Sequence, residues 1–266
     1  MPPRPTLTNI TLQGPNKHGI LWLKYNRPQS GNSLHPSLVA DALQALHWAN
    51  TSPTVKIIII TGEGRFFCTG MDLTSPDDEQ LSFAPGGPFH QLNEALIRSE
   101  KIVVAAVNGP AVGFGVSSLA LCDLVYAVSD AYFSTPFVKW GMVPEAAASV
   151  TFARIMGHQR AARLCLMGER ITAEEARELG LVSTVLPREG FLERVLAEVE
   201  GIAGAPAGSL RATKTLMREP VISDLLEAND RECRMIHEER MPSGDPQRGR
   251  VAFQAAQREK RDGGRL

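Results

Sequence analysis

The chain has 266 residues, 43% of them hydrophobic and 21% charged, with a formal net charge of −1 at pH 7. That is enough apolar material for one domain of roughly 200 residues plus a smaller appendage. The balanced charge excludes nucleic acid or an anionic membrane surface as the main partner. The four cysteines, Cys68, Cys122, Cys165 and Cys233, show no paired spacing, which argues against a disulfide framework or a zinc site and for a reducing compartment. Met1-Pro2-Pro3-Arg4-Pro5 lacks the apolar segment of a signal peptide, and no apolar run approaches bilayer length, so a soluble protein with no membrane partner is expected. In chain order, 10–12 and 20–25 read as a strand hairpin around Gly14-Pro15-Asn16, and 34–49 carries apolar residues at helical spacing. Residues 55–61, with four consecutive isoleucines, read as a strand buried on both faces, which demands covering helices. A loop over 62–88, a helix over 89–99 and a strand over 102–107 repeat the cycle. A glycine-rich turn, a helix and a strand over 124–127 follow, the pattern of an α/β protein. After a strand at 182–186 the strand signals stop. The stretches 191–203, 208–218, 221–240 and 247–261 read as helices, so a core over 1–204 and a helical region over 205–266 are expected, with Pro206 and Gly208 as the hinge.

The chemistry concentrates in two places. Asn108-Gly109-Pro110-Ala111-Val112-Gly113-Phe114-Gly115 is a glycine-spaced turn between a strand and a helix, and such a turn presents backbone N–H groups outward. At the positive end of a helix these donors suit an anion, or a carbonyl oxygen that becomes one. Farther on, Val143-Pro144-Glu145 precedes three alanines and supplies a lone carboxylate. A carboxylate beside an oxygen-binding loop points to proton abstraction next to a carbonyl. The competing readings are structural. Glu145 can be a first-turn acid favoured by the helix dipole, Asp72 a cap, and Cys68 and Cys122 small apolar fillers. His90 is read as structural. Gly113-Phe114-Gly115 as a dinucleotide-binding turn fails because the third glycine falls on Ser118.

Three stretches carry a family resemblance. Phe66-Phe67-Cys68-Thr69-Gly70-Met71-Asp72-Leu73, the segment Asn108 to Asp123, and Phe133-Ser134-Thr135-Pro136 running on to Pro144 resemble the signature of the crotonase (enoyl-CoA hydratase/isomerase) superfamily. Arg27-Pro28 with Asn32-Ser33-Leu34 is similar to its N-terminal CoA-side motif, and the resemblance continues through Gly168 to Val182. It implies an α/β fold with a ββα spiral core and a C-terminal all-helical trimerisation region. It also implies an oxyanion hole from the amides of Met71 and Phe114, substrate contacts from Arg27, Asn32, Leu34, Gly70, Gly113, Ser117 and Phe137, and no metal. No separate cofactor is implied, since coenzyme A enters as part of the acyl-CoA substrate.

Departures from the family pattern discriminate between its activities. The two glutamates with which its hydratases hold and split water match Ser117 and Phe137, a hydroxyl and a hydrocarbon ring, and neither can act as a general base. Glu145 remains, in a setting that resembles the single-glutamate Δ3,Δ2-enoyl-CoA isomerases of the peroxisomal type. The expectation is a 3-enoyl-CoA to 2-enoyl-CoA isomerase that works as a homotrimer or dimer of trimers. Alternatives are another crotonase-fold acyl-CoA enzyme of secondary metabolism (dehydration, decarboxylation or hydration) and a non-catalytic CoA-binding protein. Gly264-Arg265-Leu266 resembles a peroxisomal Ser-Lys-Leu-type signal, with glycine departing from the usual first residue, so peroxisome or cytoplasm is the expected location. Arg258 and Lys260 are candidates to reach the CoA phosphates, or else lie on a solvated face.

Overall fold

The computed structural model describes residues 3–75 and 80–263, with backbone alone at 258 and 260–263. The Gly264-Arg265-Leu266 tripeptide, the side chains of Arg258 and Lys260, and residues 76–79 of the loop after Leu73 lie outside the described residues.

The hairpin at the start forms as expected: β1 (Ile10–Gln13) runs antiparallel to β2 (Ile20–Tyr25). Helix α1 (Pro36–Thr51) starts two residues later than its apolar spacing suggests. Leu34 is held back by bridging to Met71, His35 caps the helix by accepting the Ser37 N–H, and Pro36 takes the first helical position, where no N–H is needed. The isoleucine run becomes β3 (Ile57–Gly62), with Ile57, Ile58 and Ile59 at 0% exposure. Removing such side chains from water stabilises the fold by roughly 1.5–3 kcal/mol each, which explains why no polar residue interrupts them.

Helix α2 (Pro88–Ile97) packs on α1 and leads to β4 (Ile102–Val107). The glycine-rich turn then does something the sequence did not announce. Instead of passing directly into a helix it forms a two-residue strand, β5 (Ala111–Val112), and a single short helix, α3 (Phe114–Ser117). The next elements are β6 (Leu124–Val128), β7 (Tyr132–Ser134), α4 (Ala148–Met156), α5 (His158–Ala162), β8 (Arg170–Thr172), α6 (Ala173–Glu178) and β9 (Thr184–Leu186). Helices α7 (Phe191–Ala203), α8 (Ala207–Arg218), α9 (Ile222–Met235) and α10 (Asp245–Gly263) follow close to their expected bounds.

The large sheet has the order β1-β2-β3-β4-β6-β9, parallel from β2 onward. A smaller sheet, β5-β7-β8, is extended by the isolated bridges Leu34 to Met71 and Cys68 to Ala111. Four of the large-sheet strands are thus followed by a short pairing segment of the second layer: β2 by Leu34, β3 by Cys68 to Met71, β4 by β5, and β6 by β7. This repeat is the ββα spiral that the resemblance implied. The C-terminal helices share its core. Leu225 and Ala228 of α9 belong to the same apolar cluster as the sheet, and Asn229 accepts the Asn93 side-chain amide of α2 at 2.8 Å. Lys214 of α8 donates to Asp123 at 2.7 Å, tying that helix to the end of β6.

Candidate active site

The site is made where the second layer brings two loops side by side. Val112 N–H donates to Cys68 O at 2.9 Å and Phe67 N–H to Pro110 O at 3.1 Å, a parallel pairing with Cys68 opposite Ala111. Carried two and three residues on, that register sets Gly70 beside Gly113 and Met71 beside Phe114. Gly70 and Gly113 have φ of +77° and +55°, and a Cβ at Gly70 would lie 2.9 Å from Val112 O, so the loops approach this closely only as glycines. Flanking amides are consumed: Leu34 donates to Gly70 O, Asp72 to Leu34 O and Gly113 to Ser134 O. Among the described residues, the N–H groups of Met71 and Phe114 have no protein acceptor. Phe114 opens α3, a position with no intrahelical partner.

A cleft of about 1120 Å³ opens beside these loops. Of the sequence-predicted residues it is lined by Gly70, Met71, Gly113, Phe137 and Glu145. Glu145 is 6% exposed, and among the described residues its carboxylate accepts no hydrogen bond. Its Oε1 stands 3.9 Å from where a Cβ on Gly113 would be, which puts the carboxylate at the glycine turn. Burial, and secondarily the nearby Glu232 carboxylate, push its pKa from the ordinary 4.5 to about 8. Glu145 does not start a helix. It is followed by Ala146 and Ala147 in the left-handed region, φ +56° and +59°, and α4 begins only at Ala148. Each such alanine costs roughly 1–2 kcal/mol. The acid that does serve the helix start is Glu232 of α9, which accepts Ala147 N–H at 2.7 Å and Ser149 N–H at 2.8 Å. The helix-start reading of Glu145 therefore gives way.

The other predicted contacts sit behind the cleft wall. Phe114 is fully buried with its ring against Phe89, at 5.5 Å between centroids. Asn32 is fully buried, and its side chain accepts Arg27 N–H and donates to Glu63 O and Phe66 O. Arg27 donates to Ser33 O and pairs with Asp72 at 3.1 Å. Leu34 is core. Ser117 is fully buried, and its hydroxyl points back to the Gly113 and Phe114 carbonyls. These four side chains differ from the expectation of direct contact: the polar groups of Asn32, Arg27 and Ser117 are spent on the protein and Leu34 is packed in the core, so they shape the loops that line the cleft. Asp72 accepts the Thr74 amide and hydroxyl, a local turn contact. Burial opposes its ionisation, but the bonds from Thr74 and Arg27 outweigh this and hold its pKa below the ordinary value. Burial drives the Cys68 and Cys122 thiols up to about 12, as fits packed, unreactive groups. His90 lies outside the cleft, between Glu94 and Asp230 at 3.9 Å from each.

Several cleft residues escaped the sequence reading. Arg170 lies over the Tyr132 ring at 3.8 Å, Lys139 over Trp140 at 5.1 Å, and Phe253 of α10 meets Trp140 edge-on at 5.4 Å. Helix α10 also grips the loop after the oxyanion segment, with Gln254 donating to Leu73 O and Arg250 to Ser75 O. Lys139, Trp140 and Arg170 fall inside stretches that carry the resemblance, but nothing local marks any of these residues as cleft lining, because tertiary crossing alone brings them together. Among the described residues no three His, Cys, Asp or Glu side chains converge as a metal site requires, and no helix is long and apolar enough to cross a membrane.

Residues 15–262 match the family model described as enoyl-CoA hydratase/isomerase. Enoyl-CoA delta isomerase 2 of Rattus norvegicus is 37% identical over 225 residues, 81% of this chain and 56% of that protein. The human chromodomain Y-like protein is 32% identical over 216 residues, 79% of this chain and 36% of that protein. The chain thus spans little more than half the length of the first relative and about a third of the second. Among solved structures, an enoyl-CoA hydratase/isomerase from Pseudoalteromonas atlantica T6c superposes with a TM-score of 0.85 at 28% identity, covering 94% of this chain and 98% of that one.

Proposed function

The chain belongs to the enoyl-CoA hydratase/isomerase family, and from that membership we propose that it is an enoyl-CoA Δ-isomerase that moves a 3-enoyl-CoA double bond to the 2-position. The observation that carries this reading is the carboxylate of Glu145, desolvated, free of hydrogen bonds among the described residues and lining the same cleft as Gly70, Met71 and Gly113, whereas the Asp72 carboxylate that also lines it is committed to Arg27 and Thr74. Ionised Glu145 takes a proton from C2 of the thioester. The charge moves through the dienolate to the thioester oxygen, where the unsatisfied amides of Met71 and Phe114 receive it. The same proton returns from Glu145 at C4, so one base suffices and no water is consumed. Positioned proton transfer contributes roughly 10²–10⁴-fold and one oxyanion donor roughly 10²–10³-fold, so neither alone gives a useful rate. Phe137 supports this reading over hydration, since its ring occupies cleft wall where a second carboxylate would hold water. The acyl-CoA substrate supplies the coenzyme A; nothing further is required for this chemistry.

A non-catalytic CoA-binding role is the second reading, favoured by the likeness to a protein named for its chromodomain. Turnover of 3-hexenoyl-CoA by the wild type, and its collapse in E145Q with CoA affinity retained, would support isomerisation. Absence of turnover on a panel of 3-enoyl-CoAs, with CoA still bound, would support the second reading. Assembly as a trimer or dimer of trimers through the helices after Pro206 is proposed with it. Its support is the apolar surface α8 leaves outside, with Leu216 at 70% and Met217 at 75% exposure.

A further inference from the structure

Glu232 is 87 residues away from Glu145 along the chain, yet its carboxylate is 5% exposed and divides its two oxygens between the Ala147 and Ser149 amides. Between Glu145 and the Ser149 amide lie Ala146, Ala147 and Ala148, the first two in a conformation that alanine disfavours and that α4 by itself does not impose. A backbone held in a rare region persists only where its surroundings over-determine it, and here the surrounding group is the Glu232 carboxylate. We propose that Glu232 is the positioning residue for the base: by clamping the Ala147 and Ser149 amides it locks the left-handed turn that aims Glu145 into the cleft. This rests on the reading of Glu145 as the base.

The carboxylate is suited to the task because both of its oxygens accept, whereas an amide side chain would turn an NH₂ group toward one of the two donors. Proximity adds a second effect: burial raises the pKa of Glu232 as well, the bonds from Ser149 and Ala147 oppose that rise, and once Glu232 is ionised its negative charge disfavours ionisation of Glu145. The other titratable groups that act on Glu145 or on Glu232 are the thiols of Cys233 on α9, Cys68 before Gly70 and Cys165, all held protonated by burial, and the Arg231 guanidinium.

The test is E232Q and E232D, each compared with wild type and E145Q on 3-hexenoyl-CoA over a range of pH. E232Q should lose on the order of 10²-fold in kcat, the effect of misplacing a catalytic group by about an ångström. Its KM should stay close to the wild-type value, and its pH midpoint should fall because a negative charge beside Glu145 is gone. E232D keeps the charge but loses reach, so its kcat should drop with the midpoint unchanged. Wild-type kcat and midpoint in E232Q would overturn the proposal. If E232Q fails to bind CoA and so has not folded, E232D decides: wild-type kcat overturns, reduced kcat with unmoved KM and midpoint supports. Near-wild-type activity in E145Q would remove the base assignment and the role of Glu232 with it. Collapse of E145Q with E232Q unaffected removes only the role of Glu232.

Discussion

Raising the pH should switch the reaction on through the titration of one side chain. With Glu145 buried and its pKa near 8, the ionised, base-competent fraction is about 1% at pH 6, about 10% at pH 7 and about 90% at pH 9. The free-enzyme profile, kcat/KM for 3-hexenoyl-CoA followed by the appearance of the conjugated thioester, should therefore rise nearly tenfold per unit and level off above the midpoint. A carboxylate of ordinary pKa 4.5 would already be ionised throughout that range, giving a flat profile. Stability should respond in the opposite sense. Because folding raises this pKa, the native state holds a proton that the unfolded chain has released between 4.5 and about 8. The stabilisation is fully present below 4.5 and lost as pH rises through 8, at up to about 1.4 kcal/mol per unit. E145Q should lack that component, so the difference in denaturant midpoint between E145Q and wild type should grow across this window. A flat activity profile, or a stability difference that does not vary with pH, would refute the burial argument.

The remaining expectations are independent of pH. G113A places a methyl 3.5 Å from Gly70 Cα at a φ of +55°, and should cost on the order of 10²–10³-fold in kcat by displacing an oxyanion donor. It should also lose roughly 1–3 kcal/mol of stability by denaturation, and wild-type turnover in G113A would count against the two-loop geometry. Crotonyl-CoA should yield no appreciable 3-hydroxybutyryl-CoA in a preparation free of host hydratase, since Ser117 is buried and Phe137 is a hydrocarbon ring. Sedimentation should show a trimer or hexamer at micromolar concentration; a stable monomer would end the assembly proposal.

The apolar patterning alone determined the α/β layering, the isoleucine strand buried on both faces and the run of helices at the C-terminal end. These follow from periodicity and from the exclusion of polar groups from a doubly covered sheet, both local properties of the chain. The motifs also marked Gly70, Met71, Gly113 and Glu145, which line one cleft in the fold. What they could not show is why those residues meet. The pairing of Cys68 with Ala111 joins segments far apart in sequence, through strands too short to leave a periodic trace. Arg27, Asn32 and Ser117 looked like ligand contacts because they are polar residues in motifs, but tertiary burial commits their hydrogen bonds to the loops behind the cleft. Glu232 carried no signal at all. A carboxylate on an amphipathic helix reads as solvated until α9 folds back on α4, where the low-dielectric interior makes its two amide bonds and its charge felt at Glu145.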